Sequence, residues 1–353
     1  MTSESLPLVY FGKLPARGDF IRARSHINET NDIDTWVSQA LTASEYLLPK
    51  ALLPKDALTE HSLETNPLKN GAIKENTALY FSHIDTTANK IVTGVLIPSH
   101  DSNQRRYPLI GFGLMYHDKP KSWMNYVPIK SLSLWDDVYD ALINAKSQTD
   151  TAKVMEDLNN CSLTIDQNAS THYYNFINTT TLQDIAGLMG IDKAHLIQQI
   201  IATGLLFLPT YSKGFHGLNK SISWTLPAER APAIYMATFW HDLIHGFYQP
   251  HQLQLNTYLY RTSAHYQLLL SFTEPDSQLL SQLLTHKNIL PADWVSIGDS
   301  GWTQSYIDED IGLTRFNKIL LQDDLYLYDT RQLFKLNIFS TIKLIVYFSY
   351  LYT

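Results

Sequence analysis

The sequence contains a single cysteine, Cys161, among its 353 residues. One thiol cannot form an internal disulfide, and it cannot supply a cysteine-based zinc site. The first five residues, Met1–Ser5, lack the basic and apolar regions of a secretory signal peptide. These absences favour a cytoplasmic protein.

The sequence also lacks the short motifs of common enzyme classes. There is no Gly-x-Ser-x-Gly nucleophile elbow, and Cys161 has no recognisable cysteine-nucleophile context. Asp308-Glu309-Asp310 lacks the glycine and the terminal glutamate of a calcium loop. A Ser/His/Asp triad stays open, because such triads are recognised by geometry and not by spacing. The sequence therefore predicts no cofactor.

Positive charge is scarce in the second part of the chain. Residues 1–125 hold 13 Lys and Arg against 13 Asp and Glu, whereas residues 126–353 hold 14 against 21. Nucleic acid is not an expected partner, because binding it requires clustered positive charge. Seven acids against two cations lie in the stretch 299–329. This stretch is interpreted either as a solvated face or as a docking surface for a basic partner.

Length and composition indicate a folded protein with two parts. A hydrophobic fraction of 44% and an aromatic fraction of 12% are typical of globular chains. A chain of this length exceeds one usual core, so we predict an N-terminal domain at 1–125 and a C-terminal region at 126–353. Prolines and lysines at 117–131 mark the boundary between them.

The N-terminal part alternates helix and strand signals. Apolar residues from Asp34 to Leu48 recur on one helical face, and three later runs have the composition of strands. These runs are 77–84, 91–97 and 109–116. The pattern predicts an α/β fold with a layered N-terminal domain, in which helices flank a mixed sheet.

The C-terminal region is predicted to be α+β. Ser133-Leu134-Trp135-Asp136 has the spacing of a helix start, and the polar stretch 148–180 is interpreted as a loop. Gly204 is expected to stop a helix that begins at Asp192. The remaining predicted elements are a strand at 221–225, a helix at 231–246, a strand at 265–272 and a helix at 276–287.

The C-terminal tail, 336–353, is almost entirely β-branched, aromatic or leucine. It is slightly short for a membrane span, and its composition favours strands. We predict a buried strand pair and do not expect membrane association. A membrane-facing or partner-facing tail stays an alternative.

The stretch Gly12–Phe20 combines two glycines, a proline and three charges directly after an apolar run. The glycines are expected to permit positive φ, and Pro15 fixes one dihedral of a tight turn. The stretch is not a phosphate-binding loop, because its lysine follows the first glycine and Pro15 removes an amide donor. Nucleotide binding is therefore not predicted.

A second constrained segment, Pro98–Leu109, joins two predicted strands. Its arginines, Arg105 and Arg106, are candidates for buried ion pairs. Asp101 or Asp19 could accept such a contact and tie this segment to the first one. The two segments then form one polar edge, which is either a scaffold lock or a recognition surface.

One enzyme hypothesis stays open as the alternative function. His241-Asp242-x-x-His245 places two histidines on one helical face, as in zinc-dependent hydrolases. The aspartate stands where metalloproteases place a longer glutamate base. The other interpretation is that both histidines satisfy backbone or loop groups at the end of a packed helix.

The two segments together resemble the signatures of the TagF (ImpM) family, which is associated with bacterial type VI secretion. The first signature, Gly-Lys-x-Pro-x-Arg-Gly-Asp-Phe, is met at every fixed position. The second is matched with Gln104 in place of a glycine and Tyr107 in place of a phenylalanine. The matched residues are Gly12, Lys13, Pro15, Arg17, Gly18, Asp19 and Phe20 in the first signature, and Pro98, Ser99, Asp101, Arg105, Pro108 and Leu109 in the second.

The resemblance implies a cytoplasmic, non-enzymatic accessory protein. It implies a post-translational negative regulator of a type VI secretion system, acting through protein–protein binding. The implied partner is the forkhead-associated (Fha) scaffold protein. The family supplies no catalytic residues, so the matched positions are candidates for a structural or partner-binding role.

Overall fold

The computed structural model describes residues 5–46, 78–116, 121–211, 218, 220–248, 253–285, 294–322 and 325–338. The strands are β1 Ser5–Pro7, β2 Val9–Gly12, β3 Ile21–Arg22, β4 Leu79–Asp85, β5 Lys90–Ile97, β6 Leu109–Tyr116, β7 Ser162–Thr164, β8 Ser221–Leu226, β9 Gln254–Arg261, β10 Tyr266–Ser271 and β11 Trp294–Ser296.

The helices of the described residues follow in chain order. They are α1 Ile27–Tyr46, α2 Lys121–Met124, α3 Val127–Ser147, α4 Thr151–Asn160, α5 Ala169–Thr179, α6 Leu182–Met189, α7 Lys193–Tyr211, α8 Arg230–His245, α9 Ser277–Thr285, α10 Thr303–Glu309, α11 Ile311–Leu320 and α12 327–338.

Nine of the strands form one mixed sheet in the order β11-β8-β10-β9-β4-β5-β6-β2-β3. The β11–β8 pair is parallel, and the other neighbours are antiparallel. Strands β4 and β9 pair from Leu79↔Tyr260 to Asp85↔Gln254, so the sheet continues across the predicted boundary at residue 125. That the two parts are separate domains stays a prediction.

Helices cover both faces of the sheet, as the alternation of side chains along β4 illustrates. Tyr80 contacts Trp135 of α3, whereas the next residue, Phe81, contacts Trp36 of α1. Successive residues of a strand point to opposite faces, so α3 and α1 lie on opposite sides. The indole of Trp135 donates to the Thr93 hydroxyl at 3.0 Å. The predicted α/β layering, with helices flanking a mixed sheet, is confirmed.

Helix α3 lies close to the sheet because β6 carries glycines beneath it. A Cβ at Gly111 would stand 2.8 Å from Val138 of α3, and one at Gly113 would stand 3.0 Å from Leu134. Both distances are too short for ordinary van der Waals contact. The glycines therefore set how closely helix and sheet pack.

Three expectations for the C-terminal region are wrong, and the first two concern its first elements. Helix α3 begins at Val127 and not near Ser133, because Pro128 occupies its first turn and suits a helix start. The stretch 148–180 is not a loop, since it contains α4, β7 and α5. Asp150 caps α4 by accepting from the amides of Ala152 and Lys153 at 3.0 and 3.2 Å.

Gly204 does not end a helix, since α7 continues to Tyr211. A Cβ at Gly204 would lie 2.9 Å from Ile338 of α12, so this glycine makes room for a second helix. The tail prediction falls mainly outside the described residues. Residues 336–338 are the last residues described in α12, so they are helical and not part of a strand. None of the helices described is both long and apolar enough to cross a membrane.

Candidate functional site

Two chain segments meet beside the last strand of the sheet. The first, residues 13–24, follows β2 and contains β3, and the second, residues 99–107, joins β5 to β6. The Ser102 amide donates to the Arg17 carbonyl at 2.9 Å, and the Ser99 hydroxyl donates to the Lys13 carbonyl at 2.7 Å. We call residues 13–24 and 99–107 together the two-loop edge.

Gly12 brings the two segments together at their base. Its φ is +139°, and a Cβ there would stand 2.2 Å from the Pro108 carbonyl oxygen. The backbone of Pro108 can therefore approach only if residue 12 has no side chain. Gly18 differs from the expectation, because its φ lies outside the left-handed range and a Cβ there would meet the Ser102 hydroxyl at an ordinary 3.5 Å.

A tight turn follows Gly12. The Arg17 amide donates to the Leu14 carbonyl at 3.0 Å, with Pro15 as the second residue of the turn. Proline suits this place because its fixed φ matches the turn. Arg17 then reaches α4, where its guanidinium lies 3.4 Å from the Met155 sulfur. The turn is thus braced against the helix that follows α3.

Asp101 is the centre of the edge. Its side chain is 0% exposed, and its carboxylate lies 3.0 Å from the Lys13 Nζ and 2.7 Å from the Arg105 Nε. The amides of Asn103 and Arg105 donate to the same carboxylate, both at 2.9 Å. One buried anion therefore organises both segments, and its contact with Lys13 was not predicted from the sequence.

Hydrogen bonding decides the protonation of Asp101. Burial raises the pKa of this carboxyl, but the backbone amide of Arg105 and the charged groups of Lys13 and Arg105 outweigh burial. The pKa of Asp101 therefore lies well below its usual range. The carboxylate stays ionised at any physiological pH.

Of the expected pairings of Arg105 and Arg106 with Asp101 or Asp19, the structure shows the one between Arg105 and Asp101. Arg105 binds Asp101, and its Nη2 also donates to the Gly18 carbonyl at 2.7 Å. The expectation that Arg105 and Arg106 are buried is wrong, since Arg105 is 60% exposed and Arg106 is exposed too. A short loop leaves these long side chains at the surface. Asp19 is exposed and does not pair with Arg105.

Aromatic rings cover the outer side of the edge. Phe20 is 43% exposed and stacks on Phe11, with ring centroids 5.2 Å apart. Tyr107 meets the Phe20 ring edge-on at 4.8 Å and donates its hydroxyl to Asp34 of α1 at 2.7 Å. Burial, partly opposed by the hydrogen bond with Ser38, raises the pKa of Tyr107, so it stays a neutral donor. The exposed ring of Phe20 is thus held on a buried support.

The residues of the zinc hypothesis lie elsewhere, on α8. The imidazole nitrogens of His241 lie 3.0 Å from the Met124 carbonyl and 3.3 Å from the Thr257 hydroxyl. Asp242 is ion-paired with Arg331 and Lys335 of α12. Among the described residues, no three His, Cys, Asp or Glu side chains are grouped so that they could hold a metal.

The acidic stretch follows β11, at the opposite end of the sheet from the two-loop edge. Asp310 caps α11 by accepting from the Leu313 amide at 2.8 Å, and Asp308 accepts from Gln304 at 2.9 Å. Asp323 and Asp324 lie outside the described residues. At least two of these acids therefore have structural partners, and docking of a basic partner here stays a prediction.

Comparison with known proteins bears on the two-loop edge. The family model of the TagF N-terminal domain, described as type VI secretion system-associated, matches residues 9–161. No protein with a curated description matches the chain. The match includes the whole of the two-loop edge and continues into α3 and α4.

One solved structure is similar to part of the chain. The crystal structure of PA0076 from Pseudomonas aeruginosa PAO1 is 18% identical over 44% of this chain, with a TM-score of 0.30. The alignment covers 62% of that protein, which is less than two thirds of its length. This score is too low to support an argument about the fold. The chain is thus similar to the TagF N-terminal domain, described as type VI secretion system-associated, over residues 9–161.

Proposed function

We propose that this protein is a non-enzymatic accessory protein that acts after translation as a negative regulator of a type VI secretion system. It works in the cytoplasm by binding another component, for which the Fha scaffold protein is our candidate. The observation that carries the proposal is the family match over residues 9–161, which contain the two-loop edge.

A regulator of this kind needs no chemistry of its own. Binding one conformer or one component shifts an assembly equilibrium by the difference in affinity between the two states. The two-loop edge suits such binding, because Asp101 and Gly12 hold its backbone in place. A pre-organised surface loses little conformational entropy when a partner binds.

Overproduction of the chain in its own host tests the proposal. We expect secretion of a type VI substrate to fall while growth and a second secretion route are unchanged, and we expect the Fha protein to co-purify with the tagged chain. The variant Arg261→Glu serves as the control and should act as the wild type does, because Arg261 lies exposed at the start of the β9–β10 turn, away from the edge. Normal secretion together with no retained Fha protein would refute the proposal.

Zinc analysis separates this proposal from the hydrolase alternative. A zinc-dependent hydrolase would purify with one metal per chain and would lose it in the variants His241→Ala and His245→Ala. We expect the folded protein to contain far less than one zinc per chain. Stoichiometric zinc that both variants abolish would support the hydrolase instead.

A further inference from the structure

The two-loop edge has a sign of charge opposite to that of the whole chain. Residues 13–24 and 99–107 contain six Lys and Arg against two Asp, although the chain has a net charge of -7. The six cations are Lys13, Arg17, Arg22, Arg24, Arg105 and Arg106. A local excess of positive charge on an acidic protein attracts a partner of negative charge.

Burial sorts these charges so that the cations face outward. Asp101 is inside, where it neutralises Lys13, which is itself buried. Four arginines of the edge are exposed against one exposed acid, Asp19. On α1, Asp34 accepts hydrogen bonds from the hydroxyls of Tyr107 and Ser38. The outer face of the edge therefore keeps an excess of positive charge, with four exposed arginines against one exposed acid.

Phe20 gives the basic face an apolar centre. Its ring stacks on the buried Phe11, and the Lys13 Nζ lies 5.0 Å from its centroid. Arg22 lies over the Phe11 ring at 5.3 Å. An exposed aromatic ring that is already fixed by its neighbours, with one cation over it and an arginine over the ring it stacks on, has the character of a binding hot spot.

We propose that the two-loop edge docks an acidic protein segment that carries an apolar or aromatic side chain, with Phe20 as the apolar contact and Arg22, Arg24 and Arg105 as the charged contacts. This inference rests on the proposed function and specifies the partner surface. A protein segment is favoured over nucleic acid, because the exposed cations of the edge are four arginines on two short loops and do not form a long stripe that could follow a phosphate backbone.

The experiment measures binding of three probes to the full chain. They are the purified Fha protein, an acidic copolymer of glutamate and tyrosine, and single-stranded DNA. The test variants are Phe20→Ala and the double variant Arg22→Glu/Arg24→Glu. Matched controls at other surfaces are Ile311→Ala, whose residue is 88% exposed, and Arg261→Glu. Circular dichroism and melting temperature establish that each variant is folded.

We expect the copolymer to bind the wild-type chain and to dissociate as salt rises above about 0.15 M, because screening shortens the range of these charges. The affinity of the double variant for the copolymer should be at least about tenfold lower than that of the wild type. The affinity of Phe20→Ala should be about fivefold lower. Both controls should bind as the wild type does. If the double variant does not fold, the neutral pair Arg22→Gln/Arg24→Gln replaces it.

The possible failures are distinguishable. Equal copolymer binding by the wild type and the double variant overturns the inference, and so does tighter binding of single-stranded DNA than of the copolymer. Failure of Fha to bind the wild type overturns the proposed partner, while the copolymer result still decides the chemistry of the edge. Fha binding that is unaffected by every edge variant overturns only the inference.

Discussion

At the scale of single residues, the two glycines of the first signature have different tasks. Gly12 has positive φ and almost touches the Pro108 carbonyl, whereas Gly18 has room for a methyl group. The sequence treats them alike, because both stand in a short polar turn. Only the packing of the second segment against Gly12 separates them.

Alanine substitutions at these glycines should therefore have unequal effects. Gly12→Ala forces a Cβ into the Pro108 backbone, so we expect a loss of about 3 kcal/mol in the free energy of unfolding. Gly18→Ala should change this free energy by less than about 0.5 kcal/mol. Urea denaturation measures both, and an equal loss in the two variants would contradict the geometry.

Gln104 carries strain that the family signature avoids. Its φ is +62°, which is the left-handed region, and the family has a glycine at this place. A side chain there costs about 1–2 kcal/mol, whereas glycine adds about 0.5–1 kcal/mol of chain entropy in the unfolded state.

Gln104→Gly should therefore stabilise the protein by about 0.5 kcal/mol or more. A matched change at the neighbouring exposed residue, Ser102→Gly, should stabilise nothing, because φ at Ser102 is not positive. Thermal unfolding monitored by circular dichroism tests the pair. A lower melting temperature for Gln104→Gly would count against the strain.

At the scale of elements, a buried ion cluster fastens α12 to α8. Asp242 is 0% exposed, and its carboxylate contacts Arg331, Lys335 and the Tyr173 hydroxyl, the last at 3.0 Å. Gly204 of α7 makes room for the same helix. Helix α12 thus makes polar contacts with α8 and apolar contacts with α7, and both helices are far from it in sequence.

Removing the buried anion should loosen α12. Asp242→Asn leaves Arg331 without its charge partner, so we expect the free energy of unfolding to fall by about 3 kcal/mol. Amide hydrogen exchange in residues 327–338 should become faster than in α1. Asp136→Asn is the control, because Asp136 pairs with Arg230 at the surface and such pairs contribute about 0.5 kcal/mol. Unchanged exchange in α12 would mean that apolar packing alone holds this helix.

At the scale of the whole molecule, the free energy of unfolding should depend on pH through buried titratable groups. Burial lowers the pKa of His241 to about 3, from an unfolded value of 6.5. Between these values the unfolded chain binds a proton that the native state does not, so the free energy of unfolding falls as pH falls below 6.5. Asp101 acts in the same direction at lower pH, since its native pKa is depressed.

We expect His241 to account for a loss of about 2 kcal/mol in the free energy of unfolding between about pH 8 and pH 5. The measurement is urea denaturation across this range, for the wild type and for His241→Gln. The variant should lose this share of the pH dependence, because glutamine does not titrate. An equally steep pH dependence in both proteins would show that other groups cause it.

The charges of the molecule are also separated at its largest scale. The basic two-loop edge lies at the β3 end of the sheet, whereas residues 299–322 of the acidic stretch follow β11, the strand at the other end. The sequence shows the acidic stretch directly, as a run along the chain. The basic face cannot be recognised as a run in the sequence, because residues 13–24 and 99–107 are far apart along the chain and only the fold brings them together.

Local sequence patterns determined the elements whose signals are local. Strands β4, β5 and β6, the helix predicted at 231–246 and the family signature could all be predicted from spacing and composition. The loop predicted at 148–180 was wrong, because α4 is polar overall, with only Val154 and Leu158 buried, and because it begins at a single cap, Asp150. Strand β9 was missed, although it pairs with both β4 and β10 in the middle of the sheet.

The sequence by itself determined that residues 12–20 and 98–109 belong to one recognisable edge and that an acid–arginine pair could join them. The tertiary structure decided which acid it is, that Lys13 shares it, and that Phe20 and the arginines face outward. The physical reason is that ion pairing and burial depend on distances between segments far apart in the chain, such as the 86 residues from Lys13 to Ser99. Spacing along the chain carries no information about those distances.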